Sequence, residues 1–265
     1  MAILAGSNSR SDRTTSVHPH ADTAVVLAAH GDRAGERPNA TLLGHCVALA
    51  ELGVFGSVHA GFLKAEPDIE QAIAHARGWG AARLVVVPIF MADGYFVRRI
   101  LEPRVRAAAG SANYRILAPL GLDPRLADLM CHEAEACALA HDLDPRACRL
   151  LIVGHGSEIG PASARATRRA GAVIAKLGRF AVVATAFLEE PEFLADALKS
   201  SPQPTIVSGF FSGDGLHAGE DVPTAITDTA ADAIYAGSIG RAVAVRTLIL
   251  SAIDDALGDW HDMMT

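Results

Sequence analysis

Residues 150–160 read LLIVGHGSEIG, and residues 25–35 read VVLAAHGDRAG. Each is an apolar run that stops at His-Gly, followed by a polar or acidic residue. Placing His30 on His155 gives an offset of 155 − 30 = 125 residues, and the same offset lays GFLKAEP (61–67) over AFLEEP (186–191), since 187 − 62 = 125 for Phe62 and Phe187. Further on, VVVPIFMADGYFVRRILEP (85–103) matches IVSGFFSGDGLHAGEDVP (206–223) at 121, and PLGLDPRLADLM (119–130) matches SIGRAVAVRTLI (238–249) at 119. Small deletions account for the drift. A period near 120 residues is too long for a solenoid and describes a duplicated domain, joined near HDLDPRAC, residues 141–148.

Each copy alternates strand-like and helix-like runs. Strands are expected near 23–29, 55–63, 83–90 and 114–118, with helices near 38–52, 67–79, 96–109 and 123–140; the second copy has strands near 148–153, 180–187, 204–211 and 233–239. Strand then helix, repeated, predicts an α/β protein of two similar domains, each a mainly parallel four-stranded sheet flanked by helices, with a cleft between them. The division expected is a flexible tail over 1–22, one domain over 23–143 and a second over 144–265. Composition agrees: half the 265 residues are hydrophobic but only 5% are aromatic, with Ala and Val supplying most of the apolar count, as in sheets buried on both faces.

Composition also excludes. No stretch approaches the ~18 uncharged apolar residues of a membrane span, and a net charge of −7 argues against nucleic acid as a partner. The polar, Ser-rich start lacks a secretory h-region, so a cytoplasmic protein is expected. Cys46, Cys131, Cys137 and Cys148 form no C-x-x-C pair; they read as free thiols in preference to a metal cluster of the last three.

Ligands of open α/β sheets bind outside the carboxyl ends of the strands. LLIVGHG ends the first strand of its copy at His155, AFLEEP leaves Glu189 past the second strand, and FFSGDGLHAGED puts His217 after the third. Three strand ends thus deliver two imidazoles and a carboxylate to one rim, a set suited to divalent cobalt, iron or nickel and to moving protons near neutral pH. The first copy keeps His30 but carries Lys64 and Phe96 at the positions of Glu189 and His217. Metal ligation is therefore expected in the second copy, with a degenerate site in the first. No Ser occupies a G-x-S-x-G elbow, which leaves a His/Glu hydrolase poorly supported.

The strand-GHGS motif, the AFLE segment, F-x-x-x-G-x-H-x-x-x-D-V-P from Phe211 to Pro223 and PLGLDPRLADL resemble the class II tetrapyrrole chelatases of the CbiX and CbiK type, from about residue 23 to the C-terminus. The resemblance implies ATP-independent insertion of a divalent metal into sirohydrochlorin for cobalamin or siroheme synthesis, with cobalt first and iron or nickel as alternatives. It implies no cofactor beyond that substrate ion, and a monomer or homodimer. His155, His217 and Glu189 would be the metal and catalytic residues. The acidic macrocycle would need local cations, for which Lys64, Arg98 and Arg99 are candidates beside His30, with Arg33, Arg165, Arg168 and Arg169 behind them. A protein that binds or delivers the metal or tetrapyrrole without turnover is the alternative.

Overall fold

The computed structural model describes residues 20–32, 39–157, 160–199, 201–229 and 231–262. Residues 1–19 of the expected tail and Arg33 lie outside the described residues.

The two copies fold alike. β1 (His20–Ala29), β2 (Phe55–Phe62), β3 (Arg83–Pro88) and β4 (Tyr114–Ile116) form a sheet in the order β2-β1-β3-β4. β5 (Arg149–Gly154), β6 (Val182–Phe187), β7 (Thr205–Gly209) and β8 (Ala233–Ser238) repeat it as β6-β5-β7-β8. Every pairing is parallel. The central strands are buried on both faces: Val25, Val26, Leu27 and Ala28, like Leu150, Leu151, Ile152 and Val153, are fully inaccessible. That is why they read as continuous apolar runs rather than alternating ones.

Two features depart from the sequence reading. β1 begins at His20, so residues 20–22 belong to the sheet and not to a tail; the His20 N–H donates to the Val54 carbonyl at 3.1 Å, its ring stacks on Phe55, and Asp22 pairs with Arg83 at 2.7 Å. The helices connect the copies more closely than a boundary at 143/144 suggests. Of the helices α1 (Ala40–Glu51), α2 (Ile69–Gly78), α3 (Glu102–Ala109), α4 (Arg125–Ala140), α5 (Ala162–Leu177), α6 (Leu194–Lys199), α7 (Val222–Thr229) and α8 (Val245–Asp262), α4 packs on β7, β8 and α5, and α8 packs on β3 and α1. Each copy lends its last helix to the other. One continuous core results, holding Leu27 and Val85 of the first sheet together with Met130, Leu150 and Ile206. Polar contacts follow the exchange: Arg125 reaches Asp255 at 3.1 Å, and Arg115 donates to the Ala256 carbonyl at 2.7 Å.

The buried His45 on α1 also joins the copies. Its Nε2–H donates to the Gly240 carbonyl at 2.8 Å, and its Nδ1 accepts from Arg246 Nε at 3.3 Å. Burial, chiefly, holds its pKa below the ordinary histidine value. A folded-state pKa below the unfolded one gives stability that is complete above about 6.5 and lost as pH falls toward the folded value, because the unfolded chain takes the proton first. His30 and His59, also lowered by desolvation, act in the same direction. Thermal melting is therefore expected to drop on acidification before carboxylates titrate. His45→Ala should cost about 1–3 kcal/mol at neutral pH, since it strands a buried carbonyl, and should flatten that pH slope. An unchanged slope in the variant would show that His45 carries none of it.

Candidate metal centre

His155 is the first residue after β5, Glu189 lies two past β6, and His217 opens a π-helical turn (His217–Asp221) ahead of α7. The fold brings all three together: one ligand atom from each falls within 4.8 Å of the others, and among the described residues this is the one such group of three. His155 Nε2 lies 2.9 Å from His217 Nε2, the rings meeting edge to face at 87°. Glu189 Oε2 is 3.3 Å from His155 Nδ1.

The tautomers follow from the surrounding acceptors. His155 Nδ1–H donates to the Gly156 carbonyl at 3.0 Å, beside Glu189, and His217 Nδ1–H donates to Asp221 Oδ2 at 2.7 Å. Both Nε2 lone pairs then face one point, which only a cation can occupy, whether proton or metal. Two imidazole nitrogens 2.9 Å apart, each at the ~2.0–2.1 Å of a metal–imidazole bond, subtend about 90° at the ion, the angle between neighbouring ligands of an octahedral centre. His155, Glu189 and His217 all keep a third or more of their side chains exposed, so water and substrate can fill the remaining positions.

Supporting contacts hold the His155 loop in place. Gly156 sits at φ 77°, and a Cβ there would meet the Glu190 side chain at 2.9 Å. Glu190 Oε2 accepts the Ser157 N–H at 3.0 Å, and Arg168 lies 3.6 Å from Glu190 and over the Phe187 ring. Gly154 admits helix α5 rather than a ligand, since a Cβ would lie 2.2 Å from Thr167 Oγ1.

The first copy preserves the outline without the candidate ligands. His30 follows β1, and Phe96 meets its ring edge to face at 4.7 Å and 82°, as His217 meets His155. The Lys64 N–H donates to the His30 carbonyl at 2.8 Å, as the Glu189 N–H donates to that of His155 at 3.0 Å. Ala65 replaces Glu190 beneath Gly31. His30 is solvent-accessible, yet protein atoms crowd it enough that desolvation, then the charges of Lys64 and His155, hold its pKa down.

The other sequence candidates divide. Arg98 is engaged by Asp93 and Glu102, and Arg168 by Glu190 and Glu192. Lys64, Arg99, Arg165 and Arg169 are exposed. Cys131, Cys137 and Cys148 do not assemble; all four thiols are free, and burial pushes Cys46 up to about 12 and Cys131 to about 11. Sequence reasoning missed Asp221 and Glu190. The spacing of four from His217 to Asp221, one helical turn, was the available signal for the first. Asp221→Ala is expected to weaken Co²⁺ binding about 10- to 100-fold, because it frees the ring and removes the acceptor that fixes its tautomer. Titration of the cobalt d–d absorption measures this; Asp221→Asn should recover part of the loss.

The family model described as CbiX matches residues 24–137 and again 149–256. A Halobacterium salinarum protein named "Probable sirohydrochlorin cobaltochelatase" is 23% identical over 223 residues, covering 76% of this chain and 75% of its own. A Methanopyrus kandleri protein named "Sirohydrochlorin cobaltochelatase" is 29% identical over 133 residues, covering 40% of this chain and 91% of its own. Among solved structures, CbiX, described as the terminal enzyme for biosynthesis of siroheme in denitrifying bacteria, superposes with a TM-score of 0.73 at 27% identity over 88% of this chain and 98% of that one. With one match to the family model in each half, and a solved relative that shares the two-sheet arrangement, the protein belongs to the CbiX family.

Proposed function

We propose that the protein is a sirohydrochlorin chelatase that inserts a divalent metal, cobalt in our assignment, into the macrocycle without ATP. The observation that carries this reading is the convergence of His155 Nε2 and His217 Nε2 on one point, with Glu189 alongside. The names of both archaeal relatives support cobalt, and a role in cobalamin synthesis follows from that choice of metal. The first-copy rim, with Lys64, Arg99 and His30, receives the acidic tetrapyrrole.

Insertion exchanges metal-bound water for four pyrrole nitrogens and releases two N–H protons. His217, backed by Asp221 at 2.7 Å, holds the hydrated ion as an oriented neutral imidazole. His155 shares the ion, then accepts a pyrrole proton at Nε2 as the metal moves to the macrocycle, its Nδ1 proton passing to the Glu189 carboxylate 3.3 Å away. Glu189, about half exposed, releases that proton to solvent. The His155 ring, which now carries its proton at Nε2, gives that proton to water and regains one at Nδ1 from solvent through Glu189; with the starting tautomer restored, the same relay removes the second proton.

The test is anaerobic incubation of the protein with sirohydrochlorin and Co²⁺, Fe²⁺ or Ni²⁺ in turn, without ATP, following the visible spectrum. Product beyond one equivalent per chain, fastest with Co²⁺, is expected. Conversion that stops at one equivalent would replace catalysis with metal or tetrapyrrole delivery, and a faster rate with another ion would reassign the metal.

A further inference from the structure

Exposed aromatic rings are few: with 5% aromatic residues in the chain, only Trp79, Tyr95, Phe96 and Phe193 stand open to solvent among the described Phe, Trp and Tyr side chains. Two of these four are neighbours in sequence beside His30, at the end of the first sheet. Tyr95 is 55% and Phe96 38% exposed, and their rings meet edge to face at 5.7 Å. Phe96 in turn meets His30 at 4.7 Å, and His30 feels the charge of His155. A chain of rings, Tyr95, Phe96 and His30, therefore runs along the first copy toward the metal-side histidines.

The duplication pairs the two rims position by position. At the offset of 121, Tyr95 and Phe96 correspond to Leu216 and His217, so one pair of positions reads Tyr-Phe where no metal set exists and Leu-His where it does. Both loops reach the opposite copy. A Cβ on Gly94 would lie 3.5 Å from Ala162, and one on Gly215 would lie 3.0 Å from Asp32. A flat macrocycle that turns one face to an ion on His155 and His217 must turn its other face to the first-copy rim.

Resting on the chelatase reading, we propose that Tyr95 and Phe96 form the stacking wall that binds the conjugated face of the tetrapyrrole, so that Phe96 holds substrate where its counterpart holds metal. Aromatic rings bind flat π-systems without regard to substituents. Division of labour follows: the first copy binds the macrocycle and the second binds the ion.

The experiment titrates metal-free sirohydrochlorin, anaerobically, into wild type, Tyr95→Ala, Phe96→Ala and the double variant, reading the shift in visible absorption. Parallel titrations use Co²⁺ alone. Removing both rings should raise the macrocycle Kd about ten-fold or more, leaving the Co²⁺ Kd unchanged, while Tyr95→Phe with Phe96→Tyr, which keeps both rings, stays near wild type. Wild-type macrocycle affinity in the double alanine variant would overturn the wall and leave the chelatase reading standing. Loss of Co²⁺ affinity in step with the macrocycle would also overturn it, by showing that the rings act through the metal ligands. Failure of the wild type to bind sirohydrochlorin would overturn both.

Discussion

His155→Ala and His217→Ala are each expected to abolish tight Co²⁺ binding and to reduce chelatase turnover to background, while His30→Ala should keep most of both. The difference comes from what each ring faces. His155 and His217 present their Nε2 atoms to one another at 2.9 Å, so loss of either leaves a single imidazole beside an exposed carboxylate. Removing only an outer partner of a ligating histidine costs about 10- to 100-fold in affinity, and removing the ligand itself must cost more. His30 faces the Phe96 ring, which carries no lone pair to share an ion. None of the three lies in the hydrophobic core, so the variants should melt like wild type, and metal titration with a turnover assay is then read without a folding correction. The reverse pattern, with His30 essential and His155 dispensable, would place the working site in the first copy.

The strand ends were legible because their signal is local. An apolar run halted by His-Gly fixes where the chain leaves the sheet, and a parallel sheet places every such exit on one rim; His155, Glu189 and His217 follow from that alone. What decides the partners of a long side chain is not local. Arg98 and Arg168 read as free cations, but Asp93 and Glu190 reach them through turns that no periodicity describes. The exchange of α4 and α8 was hidden for a related reason. The buried stripe of α4, Leu126, Ala127, Met130, Cys131, Ala134 and Ala138, fits either sheet, and the two sheets are near copies, so the pattern that predicts a packed helix cannot say which one it packs on. Glu190 was overlooked because a Glu-Glu pair offers two carboxylates, and only the left-handed turn at Gly156 shows which one supports the loop.

Lys64→Glu with Phe96→His is expected to create a second metal site, raising the Co²⁺ stoichiometry from one equivalent per chain to two. The backbone is already arranged for it. The Lys64 and Glu189 N–H groups donate to the His30 and His155 carbonyls, Gly31 and Gly156 share a left-handed φ of 89° and 77°, and the His30–Phe96 and His155–His217 ring pairs agree to within 5° in tilt, 82° against 87°. What the first copy lacks is ligand chemistry. A cation and a hydrocarbon ring would become a carboxylate and an imidazole at positions whose N–H and ring contacts match those of Glu189 and His217. The second equivalent should bind about 10- to 100-fold more weakly than the first, because Ile100 stands where Asp221 orients His217 and no acceptor would hold the new ring. Adding Ile100→Asp should recover part of that difference. Phe96→His also removes one ring of the stacking wall, so the variant that gains metal should lose affinity for metal-free sirohydrochlorin, and the two titrations should move in opposite directions. A stoichiometry that stays at one in the triple variant would show that the copies share a backbone outline but not a ligand geometry.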